Sequence, residues 1–166
     1  MIELNRTLQK ELLDTKIEFY GYGSIILLGW GKLPDIKSNT AEDFRNSIWI
    51  GSQITGENPG HILLKFESSE NLEQIQLADL PISSALTEVS GILIGRYLTA
   101  LSESNDEYIA LEAPSAIDFT VAHKTVALFS ETSKQCLWFK LNLKGKHSIR
   151  IAFIHLRRTL DEKIFS

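Results

Sequence analysis

The longest regular pattern of apolar residues lies at positions 83–102. Apolar side chains recur there every three or four residues, which is the spacing of one face of an α-helix. Pro81 followed by Ser83 and Ser84 predicts the start of this helix, because a serine hydroxyl can accept a hydrogen bond from the free amides of the first turn. The apolar face consists of Leu86, Val89, Ile92, Leu93, Tyr97, Ala100 and Leu101.

Two glycines, Gly91 and Gly95, lie one turn apart inside this predicted helix. A glycine costs about 1 kcal/mol relative to alanine in a helix interior, so a compensating gain is expected. Close approach of a backbone or a ligand on that side would be such a gain. Glu88 lies three residues before Gly91 and therefore shares its side of the helix. Asn105 and Asp106 are predicted to end the helix.

Alternation of apolar and polar residues predicts two β-hairpins. The first has a strand around Ile48 and Ile50, a turn at 56–60 with the sequence GENPG, and a return strand over 61–66. The second turns at 144–146, a Lys-Gly-Lys sequence typical of tight hairpins. Its alternating apolar positions are Leu137, Phe139, Leu141 and Leu143 before the turn, and Ile149, Ile151 and Phe153 after it.

Other segments are less regular. The apolar run at 24–28 fits either a buried strand or the continuation of a preceding helix, because periodicity does not separate the two in so short a run. Residues 122–129 also fit a helix or a strand, and the polar stretch at 37–46 is predicted to be a loop. Further helices are predicted at 2–19, with an apolar face of Leu4, Leu8, Leu12 and Leu13, after a cap at Ser68 or Ser69, and at 157–165.

These elements predict an α+β fold. A mostly antiparallel sheet would combine the two hairpins with a strand near 107–111, and two long and two shorter helices would pack with it. The length of 166 residues suits one domain. No low-complexity segment or linker divides the chain, so 1–166 is predicted to be a single domain.

Composition and charge exclude several classes of function. The net charge is −4, and no basic stripe interleaved with aromatic residues is present, which argues against a nucleic-acid partner. The single cysteine, Cys136, excludes an internal disulfide and is predicted to be a buried structural thiol. No secretory pattern begins the chain and no apolar run is long enough to span a membrane, so a cytoplasmic protein is expected. The four histidines, at 61, 123, 147 and 155, do not have metal-ligand spacing.

Motifs for a self-contained active site are missing. The glycines of GYGSIILLGWG have the wrong spacing for a phosphate-binding loop or a dinucleotide fingerprint. No Gly-x-Ser-x-Gly nucleophile elbow is present. A self-contained active site is therefore not expected.

The helix that contains Gly91 and Gly95 resembles that of the CheC/CheX/FliY phosphatases of bacterial chemotaxis. The signature of this family is an Asp or Ser, three residues, a Glu, two residues, an Asn, twenty-two residues and a Pro. Ser84, Glu88 and Pro114 fall on this spacing, and the segments SAL and YLTALSE are similar to the family's helix. The sequence departs from the signature at Gly91, which stands where the family has Asn.

The resemblance implies a CheC-like domain, and it favours a helix at 122–129. In the single-signature CheX branch, a hairpin and a helix also precede the signature helix. Family members act on phosphorylated CheY-like response regulators of two-component signalling. Their Glu pairs with a lysine in the active site of the regulator, and their Asn orients the attacking water. By this analogy Glu88 is the candidate catalytic residue, and Ser84, Gly91 and Pro114 complete the candidate binding site.

Partners and cofactors follow from the same resemblance. The expected partner is a phosphorylated CheY-like response regulator, which would supply the divalent metal, so no cofactor or metal site is expected in this chain. No nucleic-acid or membrane partner is expected, and the sequence leaves a homodimer open. Because glycine has no side chain to orient water, phosphatase activity is expected to be weak or lost. Ser90 and Thr87 are the candidate replacements, but Ser90 lies about 100° around the helix from position 91.

Two alternatives to a weak phosphatase stay open. One is a catalytically silent binding module that docks a response regulator or another signalling protein. The other is a domain of unrelated function with a similar helix. Asp14, Glu18 and Gly21 repeat the spacing of Ser84, Glu88 and Gly91, as a second copy of the signature would in the CheC branch. Since Phe44 stands where the Pro of that copy would fall, coincidence is the favoured interpretation.

Overall fold

An antiparallel β-sheet with helices on both faces forms the centre of the protein. The computed structural model describes residues 17–19, 21–33, 47–77, 80–106, 108–130 and 133–157. Ten strands lie in these ranges: β1 (Ile17–Phe19), β2 (Gly23–Trp30), β3 (Ser47–Gly56), β4 (Gly60–Glu67), β5 (Gln76–Leu77), β6 (Leu80–Pro81), β7 (Ile109–Leu111), β8 (Ser115–Ile117), β9 (Lys134–Leu143) and β10 (His147–Arg157).

Eight of these strands form the main sheet. Their order is β1, β2, β9, β10, β4 and β3, and both β7 and β8 pair with the outer side of β3. The short strands β5 and β6 pair only with each other. Every pairing among the described strands is antiparallel. The predicted α+β class and the mostly antiparallel sheet are therefore confirmed.

Both predicted hairpins are present. β3 and β4 join through the turn that follows Gly56, and β9 and β10 join through residues 144–146. In this turn Lys144 and Gly145 adopt positive φ angles of 51° and 66°. At position 145 the glycine adopts such an angle without a steric penalty, because it has no Cβ atom. The two hairpins meet in the middle of the sheet, because β4 pairs with β10 along eight residue pairs.

One long helix, α1 (Ile82–Asn105), packs on the first face of the sheet. Its side chains Leu86, Val89 and Tyr97 are buried against inward-facing residues of the strands. The helix ends at Asp106, which adopts a left-handed conformation with φ of 50°. Such a residue commonly terminates a helix, and the position usually favours glycine.

The start of α1 corrects the prediction of a serine cap. Pro81 occupies the N-cap position and no side chain caps the helix. Because the helix begins at Ile82, Ser83 and Ser84 lie inside its first turn, and the Ser83 carbonyl accepts a hydrogen bond of 2.8 Å from the Thr87 hydroxyl.

A shorter helix, α2 (Phe119–Ala127), packs on the opposite face. Asp118 caps it by accepting a hydrogen bond of 2.9 Å from the Val121 amide. Ala122 and Val126 are buried there in a second apolar cluster. The middle parts of β4 and β10 are covered on both faces, which explains the continuously apolar runs at 62–64 and 151–154. Residues 122–129 are thus mainly helical, as the resemblance favours.

Several local predictions are wrong where they fall within the described ranges. The last residues of the predicted helix at 2–19 form β1, which turns at Gly21 (φ 72°) to pair with β2. The run at 24–28 is part of β2, so of the two interpretations left open for it the strand is the correct one. After Ser68 there is only a 3-10 turn, Leu72–Gln74, and its cap is Asn71. These differences arise because strand pairing and the Asn71 cap outweigh local helix periodicity.

The remaining predictions can be assigned only in part. Most of 2–19, the loop at 37–46 and the helix at 157–165 lie outside the described residues, apart from Arg157, which ends β10. The strand near 107–111 is β7, which starts two residues later than predicted. Glu18 and Gly21 lie on a strand and a turn, so the echo of the signature does not form a helix face. None of the helices that the structure describes could cross a bilayer.

Candidate functional site

The outer side of α1 carries the signature positions. Ser84, Glu88, Gly91 and Gly95 fall within about 60° of one another around the helix axis. Ser84, Glu88 and Gly95 are exposed and Gly91 is half-buried, whereas Leu86 and other residues of the opposite side are fully buried. The predicted exposure of Glu88 is confirmed. This surface of Ser84, Glu88, Gly91 and Gly95 is called the α1 outer face below.

Glu88 is the one ionisable group on the α1 outer face. Its carboxylate makes no hydrogen bond or ion pair with the part of the chain that the structure describes. An exposed carboxylate on a rigid helix can accept charge-assisted hydrogen bonds from a cation that approaches from outside. The helix itself is fixed by burial of its opposite side, so the position of the Glu88 backbone is well defined.

Gly91 and Gly95 face open space. A Cβ atom built at either position would meet no atom within 4 Å. The expected close approach of another part of the domain is therefore not found among the described residues, and their packing does not require glycine at these two sites. Their effect is to leave a shallow, side-chain-free strip beside Glu88. No other segment that the structure describes approaches this strip, which leaves it accessible to a partner.

Replacing Gly95 by Ala is expected to stabilise the protein by up to about 1 kcal/mol, because alanine restricts the unfolded chain and favours the helix. Urea unfolding of Gly95→Ala and the parent protein would measure the difference. A loss of stability instead would mean that the site is filled by a neighbour in the folded protein.

Two hydroxyl groups near Gly91 are already engaged. Ser90 is fully buried and its hydroxyl donates to the Leu86 carbonyl over 2.8 Å. The Thr87 hydroxyl donates over the same distance, 2.8 Å, to the Ser83 carbonyl. Neither group is available at the surface to take the place of an asparagine amide. The α1 outer face thus presents one carboxylate and no amide.

Pro114 lies in the connection between β7 and β8, at half-buried depth. Two hydrogen bonds to β3 hold this connection: the Ser52 hydroxyl donates to the Glu112 carbonyl over 2.5 Å, and the Glu112 amide donates to the Gln53 carbonyl over 3.0 Å. Pro114 immediately precedes β8, which contacts α1. The fold therefore brings the last signature residue to a strand beside the helix that carries the other three.

The described residues contain no group of three or more His, Cys, Asp or Glu side chains that could hold a metal ion. Burial raises the pKa of the Cys136 thiol to about 12, so this residue is protonated and unreactive near neutral pH. The predicted buried structural thiol is confirmed.

Sequence reasoning missed a polar pair between α1 and the sheet. The Tyr97 hydroxyl and His155 Nδ1 are 2.5 Å apart, and both residues are buried. Burial and the nearby charge of Arg157 lower the pKa of His155 to about 3, so its ring is neutral in the folded protein. A signal for this pair was available, since position 155 is in phase with Ile149, Ile151 and Phe153 on the inward side of β10.

Comparison with solved structures supports a CheC-like fold. The X-ray crystal structure of FliY from Thermotoga maritima matches with a TM-score of 0.51 and 14% sequence identity. The match covers 98% of this chain and 86% of the FliY chain. No protein-family model matches the sequence, and no curated protein sequence is significantly similar to it. At this identity the similarity establishes the fold alone.

Proposed function

We propose that this protein docks on the receiver domain of a phosphorylated CheY-like response regulator through the α1 outer face, with little or no phosphatase activity of its own. The observation that carries the proposal is an exposed Glu88 beside Gly91, without a partner among the described residues, on a helix of a CheC-like fold. The resemblance of Ser84, Glu88 and Pro114 to the family signature supports the choice of partner.

The docking step relies on charge and shape. A lysine of the receiver domain would pair with the Glu88 carboxylate, and exclusion of water at the contact would strengthen this interaction. Ser84, Gly91 and Gly95 present small surfaces on either side of Glu88, so a loop of the partner could approach the helix backbone closely. The receiver would bring the metal ion and the phosphoaspartate.

The α1 outer face lacks a side chain that could orient the attacking water in the chemical step. Hydrolysis of an acyl phosphate requires a water molecule held in line with the phosphorus atom, and orientation of that kind contributes strongly to rate. Gly91 has no side chain, and the hydroxyls of Ser90 and Thr87 are bonded within the helix. Docking without efficient hydrolysis is therefore favoured over phosphatase activity.

The Gly91→Asn variant is expected to accelerate loss of phosphate from the receiver at least about tenfold over the parent protein, the effect typical of adding one positioned catalytic group. The space around position 91 admits the side chain, since a Cβ there meets nothing within 4 Å. The measurement is dephosphorylation of a cognate CheY-like receiver labelled on its aspartate, together with the dissociation constant of the complex.

Two further variants make the result interpretable. Glu88→Ala should weaken binding of the receiver, whereas Glu103→Ala, which removes another exposed acid of the same helix, should not. An active parent protein whose rate is unchanged in Glu88→Ala would show that the site has been placed wrongly. If no CheY-like receiver of the same genome binds, the proposed partner is wrong. Binding by Gly91→Asn without hydrolysis would favour a purely silent docking module.

A further inference from the structure

The β9–β10 hairpin has an unusual charge distribution. Residues 134–157 contain six Lys or Arg residues and no Asp or Glu, in a chain whose net charge is −4. Two of the six, Lys140 and Arg150, are directly opposite each other in the β9–β10 pairing and both are exposed. Their side chains lie on the face of the sheet opposite α1, because the neighbouring Phe139 and Leu141 belong to the core beneath α1.

This pair of like charges is not neutralised within the described structure. Directly opposite like charges on neighbouring strands are destabilising. Lys140 makes no hydrogen bond or ion pair with the described residues. Glu67 is opposite Arg150 on β4, but its carboxylate lies 3.6 Å from the ammonium group of Lys65. Among the described residues, the carboxylate of Glu67 therefore offsets only part of the positive charge of Lys65, Lys140 and Arg150, and the two exposed cations retain an excess of positive charge.

A tryptophan holds one of the two cations in place. The Arg150 guanidinium carbon lies 4.5 Å from the centre of the Trp138 ring, within range for a cation–π interaction. The Trp138 indole nitrogen in turn donates a hydrogen bond of 3.2 Å to the Lys32 carbonyl, which fixes the ring. Arg150 is therefore oriented beside Lys140 before any partner arrives.

Exposed aliphatic side chains adjoin these cations. Ile26 is opposite Lys140 on β2 and is 40% exposed, and Leu28, two residues further on, is 52% exposed. α2 covers the other part of this face, around Trp49 and Leu63, and does not shield them. The resulting cationic sheet surface consists of Ile26, Leu28, Trp138, Lys140 and Arg150.

We propose that the cationic sheet surface binds an acidic protein segment in which carboxylates alternate with aliphatic side chains. Carboxylates would relieve the repulsion between Lys140 and Arg150, and a guanidinium can accept a carboxylate in a two-pronged geometry. Aliphatic side chains would cover Ile26 and Leu28, which favours binding by removing apolar area from water. An anionic membrane is disfavoured as the occupant, because Lys140 and Arg150 are fewer cations than the cluster of about four to eight Lys or Arg residues typical of surfaces that bind anionic lipids.

The proposed surface and the α1 outer face lie on opposite sides of the sheet. A receiver domain on Glu88 and an acidic segment on Lys140 and Arg150 could therefore be bound at the same time. The protein would then connect two partners, which goes beyond docking on a response regulator alone.

A synthetic peptide of three Glu-Leu-Asp-Gly repeats provides the probe. Titration of the isotope-labelled 166-residue chain is expected to give saturable amide shifts in β2, β9 and β10, with affinity that weakens as salt increases. The double variant Lys140→Gln and Arg150→Gln should weaken binding at least about tenfold, as expected for loss of two charge-assisted contacts. Lys124→Gln, a change at an exposed cation of α2, should bind the peptide as the parent does.

Several outcomes would overturn the proposal. These are the absence of saturable shifts at millimolar peptide, shifts centred on α1, or equal binding of a peptide with Lys in place of Glu and Asp. Binding to phosphatidylserine vesicles that is lost in the double variant, without binding of the peptide, would assign the surface to a membrane instead. Urea unfolding provides a check on folding: the double variant should unfold in one cooperative transition close to that of the parent, because relief of the repulsion offsets loss of the contact between Arg150 and Trp138.

Discussion

Acidification from pH 6.5 towards pH 3 is expected to lower the free energy of unfolding by up to about 1.4 kcal/mol per pH unit through His155 alone. Burial, and then the charge of Arg157, lower the pKa of this residue to about 3 in the folded protein, against 6.5 in the unfolded chain. Between these values the unfolded state binds one more proton than the folded state. The stabilising contribution is therefore complete above pH 6.5 and is lost as the pH falls through this window.

Urea unfolding at pH 7, 6, 5 and 4 would measure this dependence. His155→Asn retains a polar atom near the Tyr97 hydroxyl but cannot be protonated, so its stability should fall less steeply with pH than that of the parent. The comparison uses the slope rather than the absolute stability, because the substitution also alters packing. His123→Asn makes the same chemical change at a half-exposed position and serves as the matched control. Equal slopes in the parent and His155→Asn would contradict the assignment.

Gly60→Ala is expected to destabilise the protein by about 3 kcal/mol or more, at the upper end of the cost of overpacking. A Cβ at Gly60 would fall on the carbonyl oxygen of Leu156, a backbone atom of the paired strand β10. The clash can be relieved only by separating β4 from β10, and these strands join the two halves of the sheet.

Thermal and urea unfolding of Gly60→Ala measure this effect. Gly95→Ala is the matched control, since it makes the same chemical change at a site without neighbours and should raise stability. A change of less than about 1 kcal/mol in Gly60→Ala, small for a substitution of this kind, would mean that the two strands are less closely paired than the structure indicates.

The sequence was sufficient for those elements whose local pattern and fold position agree. Both hairpins were predictable because strict alternation is bounded by glycine-containing turns, and α1 because its apolar positions recur over many turns. The run at 24–28 was ambiguous because its strand character comes from pairing with β9, more than a hundred residues away. The strand β8 was not predictable from the sequence, because three residues are too few to show an alternation of apolar and polar positions. It is defined by its pairing with β3.

The candidate site was predictable to a similar degree. Helix geometry alone was sufficient to place Glu88 and Gly91 on the same side of the helix, facing away from the sheet. The open space around Gly91 was not predictable, because it depends on what the rest of the chain packs above the helix. The hydrogen bond from the Ser90 hydroxyl to the Leu86 carbonyl was also not predictable, although the position of Ser90 after Val89 already placed it on the buried side of the helix.

The strand order has a consequence for the order of events during synthesis. β2 pairs on its inner side with β9, and β4 pairs with β10, so the β9–β10 hairpin is inserted between strands that are synthesised much earlier. Until residues 134–157 leave the ribosome, the strands β1 and β2 have no link to β3 and β4 through the sheet. β2 can pair with β9 only after more than a hundred further residues have been synthesised. Such non-local strand pairing is associated with slow folding and with transiently exposed strand edges. For such a nascent chain, the risk of aggregation is concentrated in the interval before the β9–β10 hairpin joins the earlier strands into one sheet.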